Sequence, residues 1–255
     1  MKEREKFEKS NIFEGIVSFR AVISAIAEGK SDRRITEVFY DGEKAKKRPR
    51  ELSFLKAKSF ESGYTLTVTD ADTISRLTVG SNHGGLAFTC TDRSYAQLNK
   101  QAISSDGFYV MLDGIEDPYN FGYSLRSLYA AGVSGIILPK RNWLSAAGVV
   151  CRSSAGASEA LDIFVTEDDS FVSLFKDLGY KVVCSDLENS VSMYDADLKK
   201  PLLLIIGGEK RGISASILEK ADSVVRIDYG NVFPAALSAA SAATVLGFEG
   251  YRQNR

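Results

Sequence analysis

The sequence predicts an α/β protein in two parts: a small N-terminal unit, then a larger domain built on a mostly parallel sheet. Three observations carry this. In the second half, short apolar stretches such as "FYVMLDGI", "IFVT" and "LLLIIGG" alternate with helical stretches, the pattern of parallel strands covered on both faces. A shorter alternation of the same kind occupies the N-terminal part. Between them "DRSYAQLNKQAISSDG" is polar and weakly periodic, which marks a linker. The expected organisation is residues 1–92 as the small domain, 93–106 as linker and 107–255 as the large domain.

Each element has its own signal. After a polar lead, "IFEGIVSFRAVISAIAEGK" places Ile16, Phe19, Val22, Ile23 and Ile26 on one helical face, with Gly29 as C-cap. "ITEVFYD" reads as a strand, "ELSFLKAKSFESG" as an amphipathic helix closed by Gly63, "YTLTVTD" as an alternating strand, "ADTISRLTV" as a helix and "GGLAFTCT" as a last strand. In the large domain the order is strand "FYVMLDGI", a helix from about Pro118 to Ala131, strand "SGIILP" and a short helical stretch around "NWLSAAGVVCRSS". Strand "IFVT", helix "SFVSLFKDLG" and strands "KVVCSD" and "LLLIIGG" follow. Helix "SASILEKA", strand "SVVRID" and a final helix from about Pro234 complete the chain. Ligands of such sheets bind at the C-terminal ends of the strands.

Composition bounds the chemistry. With 44% hydrophobic and 25% charged residues in a chain of 255, the sequence supports a substantial core. No apolar run approaches the roughly 18–20 residues of a membrane helix, and the charged start "MKEREKFEKS" has no signal-peptide h-region. The expected location is the cytoplasm. Cys90, Cys151 and Cys184 match neither a disulfide framework nor a zinc-ligand spacing. The one histidine, His83, excludes a histidine-rich metal site, and no metal is expected. The net charge of −1 conceals a cluster: "EKAKKRPR" holds five bases between Lys44 and Arg50, with a proline that reads as a helix breaker. That composition suits either a solvated loop or a loop gripping phosphates.

Three stretches of the large domain bear on chemistry. In "LDGIEDPYNFGYSLRSLYAAGVSG", Asp117 and Pro118 begin a helix whose Phe121, Leu125, Leu128 and Gly132 face the sheet, leaving Arg126 off the stripe. Asn120 and Arg126 lie about 9 Å apart along the axis at ~1.5 Å per residue. Because side chains lean toward the helix N-terminus, both can serve one pocket, or Asn120 only tidies the helix start and Arg126 is a surface charge. In "LLLIIGGEKRGIS" the glycines Gly207 and Gly208 allow close backbone approach, though the spacing is neither a dinucleotide fingerprint nor a P-loop; a plain tight turn remains open. In "NVFPAALSAASAATVLGFE" an almost uniformly small surface from Ala235 to Ala243 suits close helix packing.

In order and spacing these stretches resemble the SpoU/TrmH family of RNA ribose 2′-O-methyltransferases in the SPOUT superfamily. The first motif is matched by Asp117, Pro118, Asn120, Gly122, Arg126, Ser127 and Gly132, and the second by Gly207, Glu209, Gly212, Ile213 and Ser214. The third motif departs: Ala236 and Ser238 stand where the family has serine and asparagine. "EGIVSFRAVISAI" and "HGGLAF" resemble the ribosomal-protein-like RNA-binding domain that many members carry in front.

The resemblance implies a C-terminal trefoil-knot domain, which the connection rules of ordinary folds exclude. It also implies S-adenosylmethionine as methyl donor, held by Ser185, Gly207, Gly208, Ile227, Ala236 and Leu237. Catalytic roles fall to Asn120, Arg126, Glu209 and Ser238, and RNA contact to Lys44, Lys46, Lys47, Arg48, Arg50 and His83, the histidine either shaping a turn or touching RNA. Arginine stays protonated and has no acceptor. Arg126 therefore fits phosphate binding or alkoxide stabilisation better than general base, with Asn120 orienting the ribose and Glu209 anchoring its loop. The expected partners are RNA, ribosomal RNA foremost, and a second copy of the chain packed through the C-terminal domain, an interface that the small-residue face from Ala235 to Ala243 suits. The alternatives are a tRNA substrate, or an RNA-binding protein of the same fold that has weakened or lost transfer.

Overall fold

The structure, a computed structural model, describes residues 11–78, 83–139, 146–208 and 212–255. The chain divides into two compact units, Met1–Ser94 with Asn142–Ala160, and Tyr95–Arg141 with Leu161–Arg255.

The first unit opens with a short strand, β1 (Ile12–Glu14), where the sequence reading has helix. Gly15, at φ +83°, turns the chain directly into α1 (Gly15–Ala27), a backbone angle that favours glycine. β2 (Ile35–Asp41) runs into α2 (Gly42–Lys47), capped by the Asp41 carboxylate accepting from Glu43 N at 2.9 Å. α3 (Pro49–Ser62) has Pro49 in its first turn and ends at Gly63, φ +75°. The basic segment is therefore two helices broken at Arg48, not a loop: proline lacks an N–H, which the first helical turn does not need. β3 (Thr65–Thr69), α4 (Ala71–Leu77) and β4 (Leu86–Cys90) follow. The sheet order is β1-β4-β2-β3, with only β2 and β3 parallel. Phe19 packs edge-on against Phe88 and Tyr64, with ring centroids 5.3 and 5.8 Å apart, and Phe13 stacks on Phe88.

The second unit begins within the expected linker, where β5 (Ala96–Gln97) pairs with a later strand. β6 (Phe108–Asp113), α5 (Pro118–Ala130) and β7 (Gly135–Pro139) come next. The short helices α6 (Ala147–Ser153) and α7 (Ala157–Ala160) then return to the first unit. β8 (Ile163–Thr166), α8 (Ser170–Asp177), β9 (Lys181–Ser185), β10 (Val191–Ser192) and β11 (Leu202–Gly207) lead to α9 (Ala215–Leu218). β12 (Ser223–Arg226) and α10 (Ala239–Asn254) end the chain. The sheet runs β10-β12-β9-β11-β6-β7-β8-β5, every pairing parallel. Alternation along β11 sends Leu203 and Ile205 into a cluster with Tyr109, Phe175 and Val182. α10 packs on α5, and Gly247 makes this possible, since a Cβ there would lie 2.9 Å from Leu128 Cδ2.

Two expectations change at the C-terminus. The last helix starts at Ala239 rather than near Pro234: Ser238 is its N-cap, with extended backbone, and the preceding residues form an irregular segment. Ala239, Ala240 and Ala243, expected to face a second copy, are buried within this chain.

In the first unit α6 lies on β1 so closely that a Cβ on Gly148 would come within 2.0 Å of the Ile12 carbonyl oxygen. Arg33 and Glu159, side chains 2% exposed, form an ion pair at 3.1 Å. Arg33 also donates to the Thr91 carbonyl at 2.9 Å and lies over the Phe13 ring. Arg152 pairs with Glu14 beside it.

Candidate active site

Parallel pairing puts the strand C-termini on one edge, and there the exits of β9, β11 and β12 enclose a pocket of ≈ 260 Å³. Ser185 closes β9, Gly207 and Gly208 close β11, and Ile227 follows β12, while Ala236 and Leu237 lie just before α10. All six residues expected to hold the cofactor line this pocket. The sequence reading missed Arg226, Tyr229 and Leu246, which also line it. Leu246 was within reach of periodicity, since Ala239, Ala242 and Leu246 repeat at helical spacing on the pocket side of α10; Tyr229, in an irregular segment, gave no such signal.

The glycines have an internal reason as well as a ligand-facing one. A Cβ on Gly208 would lie 2.2 Å from the Gly114 carbonyl oxygen, and one on Gly207 would lie 2.7 Å from the Gly212 carbonyl carbon. Gly212 N–H donates to the Gly208 carbonyl at 3.1 Å, closing the loop as an isolated bridge. Glu209, next in sequence after Gly208, lies outside the described residues.

Asn120 occupies the first turn of α5, half-buried, and its backbone N–H is held by Asp117 Oδ1 at 2.8 Å. Arg126 is exposed on the same helix, and its side chain has no ion pair or hydrogen bond among the described residues. Both ride on the helix that follows β6, the strand paired with β11, but neither forms part of the pocket wall. The Ser238 hydroxyl accepts from Ser241 N at 3.1 Å as the cap of α10. Ser127 accepts from Thr244 at 2.7 Å, tying α5 to α10. Cys184, within β9, is no nucleophile, because burial pushes its thiol up to about 12.

In the first unit the basic residues separate by role. Lys44 Nζ donates to the Gly84 carbonyl at 2.6 Å, Lys46 pairs with Glu43 at 2.7 Å and Arg48 lies 3.6 Å from Glu51. Lys47 and Arg50 are exposed, and with Arg20 of α1 and Arg48 they line a cavity of ≈ 450 Å³. Arg20, held 5.1 Å over the Phe54 ring, was invisible in the sequence because the fold brings it in from another helix. His83 is buried: Nδ1 accepts from Gly85 N at 3.1 Å, and Nε2 faces Ser75 Oγ at 3.0 Å. Ser75 donates its own proton to the Ala71 carbonyl. Both ring nitrogens are therefore engaged inside the fold.

Residues 107–248 match the model of the SpoU rRNA Methylase family. The chain belongs to that family. A protein of Staphylococcus saprophyticus assigned to the TrmH family of tRNA/rRNA methyltransferases is 33% identical over 180 residues, 68% of this chain and 72% of that one. The AdoMet-bound rRNA methyltransferase from Sinorhizobium meliloti has 26% identity and a TM-score of 0.77, covering 99% of this chain and 90% of its own. The SpoU methyltransferase AviRb from Streptomyces viridochromogenes, at 20% identity and a TM-score of 0.71, covers 95% of this chain and 88% of its own and shares the fold. Within this SpoU-family chain no group of three or more His, Cys, Asp or Glu side chains among the described residues is placed to hold a metal ion. None of its described helices is long and apolar enough to cross a membrane.

Proposed function

We propose that the protein transfers a methyl group from S-adenosylmethionine to the ribose 2′-hydroxyl of a structured RNA, with ribosomal RNA as the substrate. One observation carries this reading: the six residues expected from the motifs to hold the cofactor, drawn from four separate segments, line a single pocket. The pocket fits the group. Its wall is largely apolar, from Ile206, Leu237 and Leu246, and the backbone of Gly207 and Gly208 forms part of it. The rRNA substrate is supported by the family description and by the S. meliloti relative.

Held by Ser185, Gly207, Gly208, Ile227, Ala236 and Leu237, S-adenosylmethionine would supply an electrophilic methyl group for the ribose 2′-oxygen. The chain's residues position and stabilise. Arg126, exposed and uncommitted to any internal partner among the described residues, fixes an RNA phosphate or steadies the developing alkoxide. Asn120 orients the ribose from the first turn of α5, and Glu209 anchors the loop after β11. Ser238 acts through the segment it ends, since its hydroxyl caps α10. In the first unit Lys46, Lys47, Arg48 and Arg50, joined by Arg20, grip phosphates, whereas Lys44 and His83 bond to the Gly84–Gly85 turn. The protein works as a homodimer through its C-terminal domain. Supporting this, Tyr123 of α5 and Phe248 and Tyr251 of α10 are exposed apolar surface on two helices packed together. Light scattering checks it, with a fully active monomer as the contrary result.

Calorimetry with S-adenosylmethionine followed by tritiated methyl transfer to total RNA tests the proposal. Binding with label in RNA is expected. Binding without transfer to any RNA favours the second reading, an RNA-binding protein without turnover, which the altered third motif at Ala236 and Ser238 supports.

A further inference from the structure

The irregular segment between β12 and α10 forms one wall of the pocket and carries aromatic side chains outward. Tyr229 lines the pocket and is 38% exposed, and Phe233 is 56% exposed. Their rings are in contact, with centroids 6.1 Å apart at 57°. A single exposed phenylalanine needs no explanation. This one is different in two respects: its ring lies against Tyr229 of the pocket wall, and the segment presenting it is held at both ends. The Tyr229 hydroxyl accepts from Leu237 N at 3.0 Å, while Asp228 accepts from Arg226 Nε at 3.0 Å and from Ser192 Oγ. The segment is thus anchored at both ends, with the Phe233 ring against Tyr229.

Resting on the methyl-transfer reading, we infer that Phe233, backed by Tyr229, is the stacking platform for the base of the nucleotide that is methylated. The ribose hydroxyl has to reach the pocket mouth, and the base hangs from the neighbouring sugar carbon, so the base lies beside that mouth. In folded RNA it must first leave its stack, and an exposed aromatic face replaces the lost contact. The platform positions without reading base identity, because the Tyr229 hydroxyl, its one polar group, is already engaged with the backbone. Phe233 is therefore a positioning residue.

The test uses the full-length protein and total RNA from cells lacking the gene. Phe233→Leu keeps apolar bulk and removes the aromatic face, and Phe233→Trp keeps the face. The leucine variant is expected to lower kcat/KM for RNA about tenfold, the size of one base–aromatic stack, with calorimetric affinity for S-adenosylmethionine unchanged and with the tryptophan variant retaining activity. Ultraviolet crosslinking of the wild-type protein should place a nucleotide adduct on the peptide containing Tyr229 and Phe233. Activity of Phe233→Leu equal to wild type, or adducts confined to other peptides, would overturn the inference. So would a loss that Trp does not rescue and that accompanies a changed mass in light scattering, which assigns the ring to an interface between copies. If the wild-type protein binds cofactor yet methylates no RNA, the underlying reading fails, and the crosslink alone decides the platform.

Discussion

At Gly208 the added methyl of an alanine would meet the Gly114 carbonyl oxygen at 2.2 Å, so the crossing of two strand exits fixes this residue independently of any ligand. Gly208→Ala is expected to destabilise the fold by ~1–3 kcal/mol, as overpacking does, and to weaken cofactor binding; urea unfolding and calorimetry measure the two effects. A variant as stable as wild type would show that the exits separate freely. Arg126 gives the opposite case, an exposed side chain with no structural partner among the described residues. Arg126→Ala is therefore expected to abolish methyl transfer while leaving stability and S-adenosylmethionine affinity largely unchanged, and comparable turnover would remove Arg126 from the mechanism. Six of the pocket residues were legible in the sequence because strand exits and motif spacing both point at them. Tyr229, Phe233 and Arg20 were not, since an aromatic in an irregular segment has no period and Arg20 joins its cluster only through the fold.

Among the elements, long apolar strands and capped helices could be read directly, and short or irregular ones could not. β1 and β5 are too brief to show alternation, and their pairing partners lie far away in sequence. Pro234 suggested a helix start that the Ser238 cap supersedes. The attachment of α6 and α7 to the first unit rests on Gly148 and on the Arg33–Glu159 pair, neither of which carries a local signal. Because both charges are buried, Arg33→Ala should cost about 3–5 kcal/mol by stranding the Glu159 carboxylate. A double replacement, Arg33→Met with Glu159→Leu, should recover much of that in chemical denaturation; equal losses in single and double variants would argue against a coupled pair. In α10 the hydrogen bond from Arg252 holds the buried Glu249 carboxyl below its ordinary value of 4.5. A depressed folded-state pKa contributes stability above the unfolded value, and that contribution is lost as pH falls through the folded one. Glu249→Gln should therefore lower stability at neutral pH and flatten the acid side of the stability profile below about 4.5. An unchanged acid limb would show that the pair contributes nothing.

For the whole molecule, a net charge of −1 is compatible with RNA binding only if cations are locally concentrated, and the Arg20–Lys47–Arg48–Arg50 cavity provides that concentration. Lys47→Ala and Arg50→Ala should each reduce the salt dependence of RNA binding by about one unit of slope while leaving S-adenosylmethionine affinity unchanged. An unaltered slope would move the phosphate contacts elsewhere. Methyl transfer to ribose is measured by incubating the full-length protein and tritiated S-adenosylmethionine with total RNA from cells lacking the gene, then digesting to nucleosides. Radioactivity is expected in a 2′-O-methylnucleoside from ribosomal RNA. Label confined to a base-methylated nucleoside, or absent from RNA altogether, would contradict it.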